Sequence, residues 1–474
     1  MIGAIADDFT GATDVAVALR RHGLRTVLYF GLPPDDLAPS KHGADPSQSD
    51  TDTPEHDTDR PARGTDTPGY DAVVIALKTR TIPKADAVAR SLAALDWLRT
   101  HVNPDQVYFK YCSTFDSTPD GNIGPVLDAL ADAMDVPVVA MTPSSPEHGR
   151  TQYNGYLFVG DVLLGESPMR HHPLTPMTDS YLPRVLEAQS EYRAGVVTLP
   201  QVRGQAIEAR LSELRADGVR YALVDALDDS DLTTAGRALS GAPLVAGAAG
   251  LAAGLAAGLA KGRAEGRAEG RAEGRAGDSA EGPAVGQAES PTASRARADH
   301  GEAPVPASGE PAAVLAGSCS ARTLQQIAAM IEAGRPAYRL DALADQDPGS
   351  LADGALAWYD TLGKDTEAPL IYSSLEPAAL RHVQRRLGTD RSAAILEEAI
   401  GRVARGLVER GVTRVVSAGG ETSGAVVSAL GVPGGEIGAE AARGVPWIFT
   451  PSGLTLLLKS GNFGEPDLLL EATR

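Results

Sequence analysis

Short apolar runs recur along this chain, each followed by a stretch with helical periodicity, and that alternation leaves few folds open. In the first half, residues 2–6, 26–30, 72–77, 106–111, 137–141, 195–199 and 221–224 read as strands. Between the first two, residues 12–22 place Ala12, Val15, Ala16 and Leu19 on one helical face and stop at Gly23, a residue suited to a left-handed cap. In the second half, residues 313–316, 370–372 and 414–417 read as strands, with helices near 322–333, 392–410 and 422–430. The expected class is α/β, with two α/β domains built on largely parallel sheets.

Two biased segments set the expected boundaries. Residues 35–71 are rich in Asp, Thr and Pro and nearly empty of large apolar side chains, which predicts a disordered acidic insertion. From about residue 259 to 311, Gly-Arg-Ala-Glu repeats and then a Pro/Ser/Ala mixture predict a low-complexity linker, although an exposed helix would use similar residues. The domains are therefore expected at 1–258 and 312–474. A chain of 474 residues with 43% apolar content can fill two cores.

The formal charge of -19 argues against a nucleic-acid partner, which would reward clustered Lys and Arg. No apolar stretch approaches the roughly 20 residues of a membrane span, and a strand expected from Ile2 leaves no room for a signal peptide, so a cytoplasmic protein without a membrane partner is expected. Cys112 and Cys319 stand far apart in no metal-binding pattern.

The chemistry-bearing segments fall at strand ends, where open α/β sheets bind ligands. Ala6-Asp7-Asp8-Phe9-Thr10-Gly11 puts two carboxylates between a strand and a helix. Either aspartate is a candidate general base, and either would serve equally as a helix cap. Lys78 and Arg80 end a second strand and suit a carboxylate-bearing ligand, or are surface cations. The run from Phe109 through Lys110, Ser113 and Asp116 offers the convergent polar groups that a polyol needs, and turn chemistry would use the same types. Asp14 and Thr13 read as helix surface or packing. His171 and His172 are adjacent, without the i, i+4 spacing of a helical zinc site, so no metal-binding residues are expected.

In the second half, Gly419-Gly420-Glu421-Thr422-Ser423 joins a strand to a helix, an outline that suits an anion and equally a tight turn. It matches neither a Walker A loop nor a GxGxxG fingerprint. Ser318, after the first strand of this half, and the segment from Lys459 through Gly461 to Gly464 add two more glycine–hydroxyl stretches.

Taken in order, these segments resemble the four-carbon acid sugar kinase family. The resemblance covers both halves apart from the biased segments and is closest to the branch acting on 3-oxo-tetronates. It implies ATP and Mg2+, with a phosphoryl group passing to the C4 hydroxyl of a 3-oxo-tetronate across a substrate cleft between facing domains. It further implies Asp8 or Asp7 as base, Lys78, Arg80, Lys110, Ser113 and Asp116 toward the sugar acid, and Ser318, Gly419, Gly420, Glu421, Thr422, Ser423, Gly461 and Gly464 toward ATP. Two positions depart from the family pattern: Ala246-Gly247-Ala248-Ala249-Gly250 stands where Thr-Gly-Gly-Ser-Gly is common, and Thr79 where serine is usual. A D-erythronate or L-threonate 4-kinase and a non-catalytic sugar-acid or nucleotide sensor are the alternatives. A homo-oligomer is compatible with either.

Overall fold

The computed structural model describes residues 1–37, 69–172, 175–259, 303–363 and 366–474. Most of the expected acidic insertion and residues 260–302 of the expected linker lie outside them. Where described, residues 303–311 run along the C-terminal half: Pro304 O accepts from Ala439 N at 2.8 Å, and Pro311 O accepts from Thr413 N and Arg414 N at 3.0 Å.

The strands of the N-terminal half are β1 (Ile2–Ala6), β2 (Thr26–Phe30), β3 (Ala72–Ala76), β4 (Gln106–Lys110), β5 (Val139–Thr142), β6 (Arg150–Tyr153), β7 (Tyr156–Val159), β8 (Val162–Leu163), β9 (Arg193–Val197), β10 (Val219–Val224) and β11 (Leu244–Gly247). The C-terminal half adds β12 (Ala312–Ala316), β13 (Ala337–Arg339), β14 (Leu370–Tyr372), β15 (Arg414–Ala418), β16 (Gly434–Ala442), β17 (Val445–Phe449) and β18 (Thr455–Lys459). Buried β1 and β3 are near-continuous apolar runs, as central parallel strands covered on both faces must be, and buried β4 keeps an apolar centre between Gln106 and Lys110.

The expectation of two separate sheets needs correction. Among the described residues fifteen strands form one sheet in the order β13-β14-β12-β15-β18-β17-β16-β2-β3-β1-β4-β11-β5-β10-β9, and β6-β7-β8 form a small second one. Within the large sheet the pairing is parallel except at β16–β17, β17–β18 and the seam β16–β2. The sequence reading missed β16 because residues 434–442 carry three glycines and three alanines around a single large apolar residue, Ile437. The seam is close: Gly434 has φ +146°, and a Cβ there would lie 2.0 Å from Leu28 O.

One apolar core crosses the seam, with Ala12, Val15 and Leu19 of helix Phe9–Arg21 in the same cluster as Val426, Ile437 and Ile448. Counted by hydrogen bonds, the two parallel regions run in opposite senses. Six strand steps separate β15 from β1, and a twist of roughly 20–25° per step turns one region by about 120–150° relative to the other. The carboxyl ends of β1 and β15 thus meet: Thr10 Oγ1 is 3.7 Å from where a Cβ on Gly420 would lie.

Each parallel region also has its own switch point. Strand β1 is flanked by β3 and β4, and β12 by β14 and β15. Chain connections leave these strands in opposite directions, which opens a crevice at their carboxyl ends.

Candidate active site

At the first crevice the strand register aligns Ala6 with Ala76 and Lys110, so the residues that follow them converge. Asp7, almost fully buried, receives Arg80 Nε on Oδ2 and an Arg80 terminal nitrogen on Oδ1, both at 2.9 Å. The same guanidinium lies 2.9 Å from Asp8 Oδ1, which also accepts the Gly11 N–H at 2.8 Å and so caps helix Phe9–Arg21. Burial would lower the Arg80 pKa, but the neighbouring Asp7 and Asp8 carboxylates outweigh it and raise the pKa well above its ordinary value. Lys110 is buried and donates to Tyr111 O at 2.8 Å. Gly11 is required here, since a Cβ would fall 2.4 Å from Asp8 Oδ1 and 2.6 Å from Lys110 Nζ.

Asp8, Arg80, Lys110 and Ser113 share the wall of a cavity of about 270 Å³. Asp116 sits behind it and accepts from Thr114 Oγ1 at 2.6 Å and from Cys112 Sγ at 3.1 Å. The turn between them is fixed by Phe115, a buried residue held at φ +54°, which a bulky side chain seldom adopts. Burial pushes the Cys112 thiol pKa up, in keeping with a packed thiol rather than a nucleophile.

At the second crevice the contacts come mainly from backbone and hydroxyl groups. Ser318 follows β12, Gly419 follows β15, and Ser460-Gly461 follows β18. Gly419 (φ +132°) donates to Lys459 O at 2.9 Å, and a Cβ on it would lie 2.9 Å from Thr422 Oγ1 and 3.0 Å from Ser318 N. A Cβ on Gly461 would lie 2.5 Å from Ser318 Oγ. Helix Gly420–Leu430 has no side-chain cap, so its first N–H groups and dipole are available to an anion. Lys459 is buried, donating to Thr323 Oγ1 at 3.0 Å and Gly461 O at 3.1 Å, and burial lowers its pKa to about 8.

Two family models divide the chain at the same place as these crevices: a sugar-binding N-terminal domain matches residues 2–255 and a nucleotide-binding C-terminal domain matches 313–469. Over its full length the chain is 45% identical to a 3-oxo-tetronate kinase of Cupriavidus necator, covering 96% of that protein. The chain belongs to the four-carbon acid sugar kinase family. It is also 40% identical to a 3-oxo-tetronate kinase of Salmonella typhimurium, with 100% of this chain and 98% of the relative covered. A crystal structure of a Haemophilus influenzae protein superposes with a TM-score of 0.73 at 36% identity, covering 99% of this chain and 98% of the other.

Within this four-carbon acid sugar kinase, Asp7, Asp8, Arg80, Lys110, Ser113 and Asp116 come together, as do Ser318, Gly419, Gly420, Thr422, Ser423 and Gly461. Lys78 departs from the acceptor-side expectation. It is exposed, lies 5.1 Å from the Phe9 ring centroid, and its Nζ is 2.7 Å from where a Cβ on Gly424 would be, so it leans on the C-terminal half. Gly464 also stands apart: at φ +78°, a Cβ would meet Leu468 Cδ2 at 2.2 Å, which assigns it to chain reversal. Glu421 is exposed on the first turn of helix Gly420–Leu430. His172 Nδ1 accepts from Thr175 N at 3.1 Å. The divergent loop faces the crevice with Ala248 and Ala249, and at Ala249 a methyl group stands where the family pattern has a hydroxyl.

Two features escaped the sequence reading. Asp14 lines the cleft rather than a solvent face. Glu147 ties the halves together, accepting from Arg21 at 3.0 Å and from Arg443, while Arg21 also bonds Glu440 at 2.7 Å. Burial acts to raise the Glu147 pKa, but the two guanidinium groups hold it below its ordinary value. Neither feature has a local motif; both depend on residues distant in sequence.

Proposed function

We propose that this chain is an ATP-dependent 3-oxo-tetronate kinase that transfers the γ-phosphoryl group to the C4 hydroxyl of its four-carbon acid. The observation that carries this reading is the full-length 45% identity to a 3-oxo-tetronate kinase, across both the sugar-binding and the nucleotide-binding halves. The meeting of a charged crevice and a glycine-lined crevice supports it.

The N-terminal crevice binds the acid. Lys110 offers a cation to the carboxylate, Ser113 contributes a hydroxyl, and Arg80 is held rigid by Asp7 so that its charge is fixed before the substrate arrives. Asp8, with Oδ1 already engaged, presents Oδ2 to orient the acceptor hydroxyl. Asp116 positions the Cys112–Thr114 turn. In the C-terminal crevice the N–H groups of Gly420 and Thr422 and the hydroxyls of Ser318 and Ser423 surround the phosphates, with Gly419 and Gly461 leaving them room.

Among the described residues no cluster of three or more His, Cys, Asp or Glu side chains could hold a metal ion. Mg2+ takes most of its ligands from nucleotide phosphates and water and needs only one or two protein carboxylates, for which Glu421, exposed on the first turn of helix Gly420–Leu430, is the candidate. Bound there, the ion would neutralise phosphate charge. Among the described residues no helix is long and apolar enough to cross a membrane, and the reaction is assigned to the cytoplasm.

ATP consumption with 3-oxo-tetronates, erythronate and threonate tests the reading. Turnover with a 3-oxo-tetronate is expected to exceed that with either unoxidised acid. Equal or greater turnover with erythronate or threonate would move the assignment to those acids, and no turnover with any would favour a sensor.

A further inference from the structure

As the acceptor oxygen attacks the γ-phosphorus its proton has to leave, and the aspartates that follow β1 keep only Asp8 Oδ2 unengaged, the atom that orients the hydroxyl. Both Asp7 oxygens are held by Arg80, and Asp8 Oδ1 is shared between the Gly11 N–H and the same guanidinium. The cleft contains another carboxylate. Asp14 stands in the second turn of helix Phe9–Arg21, beside Thr13 and Val15, which are buried. Its carboxylate takes part in no hydrogen bond or ion pair among the described residues.

Its position is distinctive. The acceptor-side cavity is lined by Asp8, Arg80, Lys110 and Ser113, and the donor-side cavity by Gly420, Ser423 and Lys459. Thr10, Asp14 and Ser460 line both. Of these three, only Asp14 is a base near neutral pH.

We propose that Asp14 is the catalytic residue that accepts the proton of the acceptor hydroxyl. The inference rests on the kinase reading above and sharpens it. The O–H bond breaks and its proton passes to the Asp14 carboxylate. The hydroxyl oxygen forms its bond to the γ-phosphorus, and the bond from that phosphorus to the β–γ bridging oxygen breaks, its electron pair leaving with ADP. The proton on Asp14 returns to water as product departs. Asp8 then orients the hydroxyl rather than deprotonating it.

The surroundings suit this role. Burial raises the Asp14 pKa to about 7; Lys110 opposes the rise, Asp8 and Glu147 add to it, and Arg80 subtracts. The other charged or titratable groups that line cavities with it are Arg21 on its own helix and His22 at that helix's cap, Asp229 on helix Asp229–Ala238, His148 on the turn Pro146–His148, Cys112 after β4, and Lys459 at the end of β18. A base poised near the working pH combines availability with proton affinity.

The test is Asp14→Asn, an isostere of the protonated side chain, with Asp14→Ala in reserve should it fail to fold. The variant should lose about 10²–10⁴-fold in kcat, the usual contribution of a general base, with Kd for ATP and KM for the acid changed less than about threefold. The wild-type kcat should fall as pH drops through about 7, and that acid limb should vanish in Asp14→Asn but persist in Asp8→Asn. A purely structural role would leave the limb in place. An active wild type with Asp14→Asn within threefold of its kcat, or with the acid limb unchanged, overturns the inference alone. A folded wild type inert toward every four-carbon acid would overturn the kinase reading along with it.

Discussion

On the proposed reading, the two crevices solve the problem of binding an anion in opposite ways. The N-terminal one uses charged side chains locked together before substrate arrives: Arg80 bridges Asp7 and Asp8, and Lys110 sits buried against Gly11. The C-terminal one uses glycine, backbone N–H groups and hydroxyls around an uncapped helix. A small acid offers few atoms, so each must meet a specific charge. A triphosphate carries charge along its length and is held by many weak dipoles, for which close backbone approach matters more than any single side chain. Losses should therefore be concentrated in single residues on the acceptor side and spread out on the donor side.

The sharpest way to break that contrast is Arg80→Met, which leaves Asp7 and Asp8 facing each other unpaired. Breaking a buried pair costs about 3–5 kcal/mol, so kcat/KM for the acid should fall by about 10²–10³-fold while calorimetry finds ATP affinity intact. A comparable drop in ATP affinity would mean that the crevices are not separable. On the donor side, Gly461→Val drives a side chain into Ser318. Overpacking of this kind costs about 1–3 kcal/mol, so Kd for ATP should rise about tenfold with the acid's KM little changed; unchanged ATP affinity would take Gly461 out of the phosphate site.

Smaller still is Gly11→Ala, which collides with the Asp8 cap and Lys110. Loss of a cap is worth about 1 kcal/mol, and thermal denaturation should show a shift of that order together with weaker acid binding. A stable variant with normal KM would mean that the loop relaxes freely. The finest effect concerns Lys459, whose pKa burial lowers to about 8. Phosphate nearby favours the charged form, so between pH 8 and 9 ATP binding should take up a fraction of a proton, measurable by calorimetry in buffers of different ionisation enthalpy. Lys459→Met should abolish the uptake. In the free protein the sign for stability is the reverse of a salt bridge: the cost of burying the charged ammonium is fully present below pH 8 and fades as pH rises toward the unfolded value.

Much of this was legible in the sequence because it is local. Strand followed by glycine and helix places Asp7, Asp8, Gly419 and Gly420 at crevice mouths before any coordinates are seen. What was not legible depends on pairing. A single sheet rather than two follows from β16 joining β2, a contact between residues some 400 positions apart and disguised by glycine. Lys78 follows a strand end in sequence as Arg80 does, yet the two cations part because Arg80 turns toward Asp7 while Lys78 turns toward Gly424. Asp14 reads as an ordinary helix residue until the second crevice is brought against it.

The seam at Gly434 has a mechanical consequence. Among the described residues a continuous hydrogen-bonded sheet and a shared apolar core join the two halves directly. Drawing the crevice rims closer over bound nucleotide has to be done by coiling the strands between β15 and β1 more tightly, and releasing product by letting them unwind. The molecule is built as a torsion bar rather than a pair of jaws, and the stiffness of the β16–β2 pairing sets how far its ends can turn.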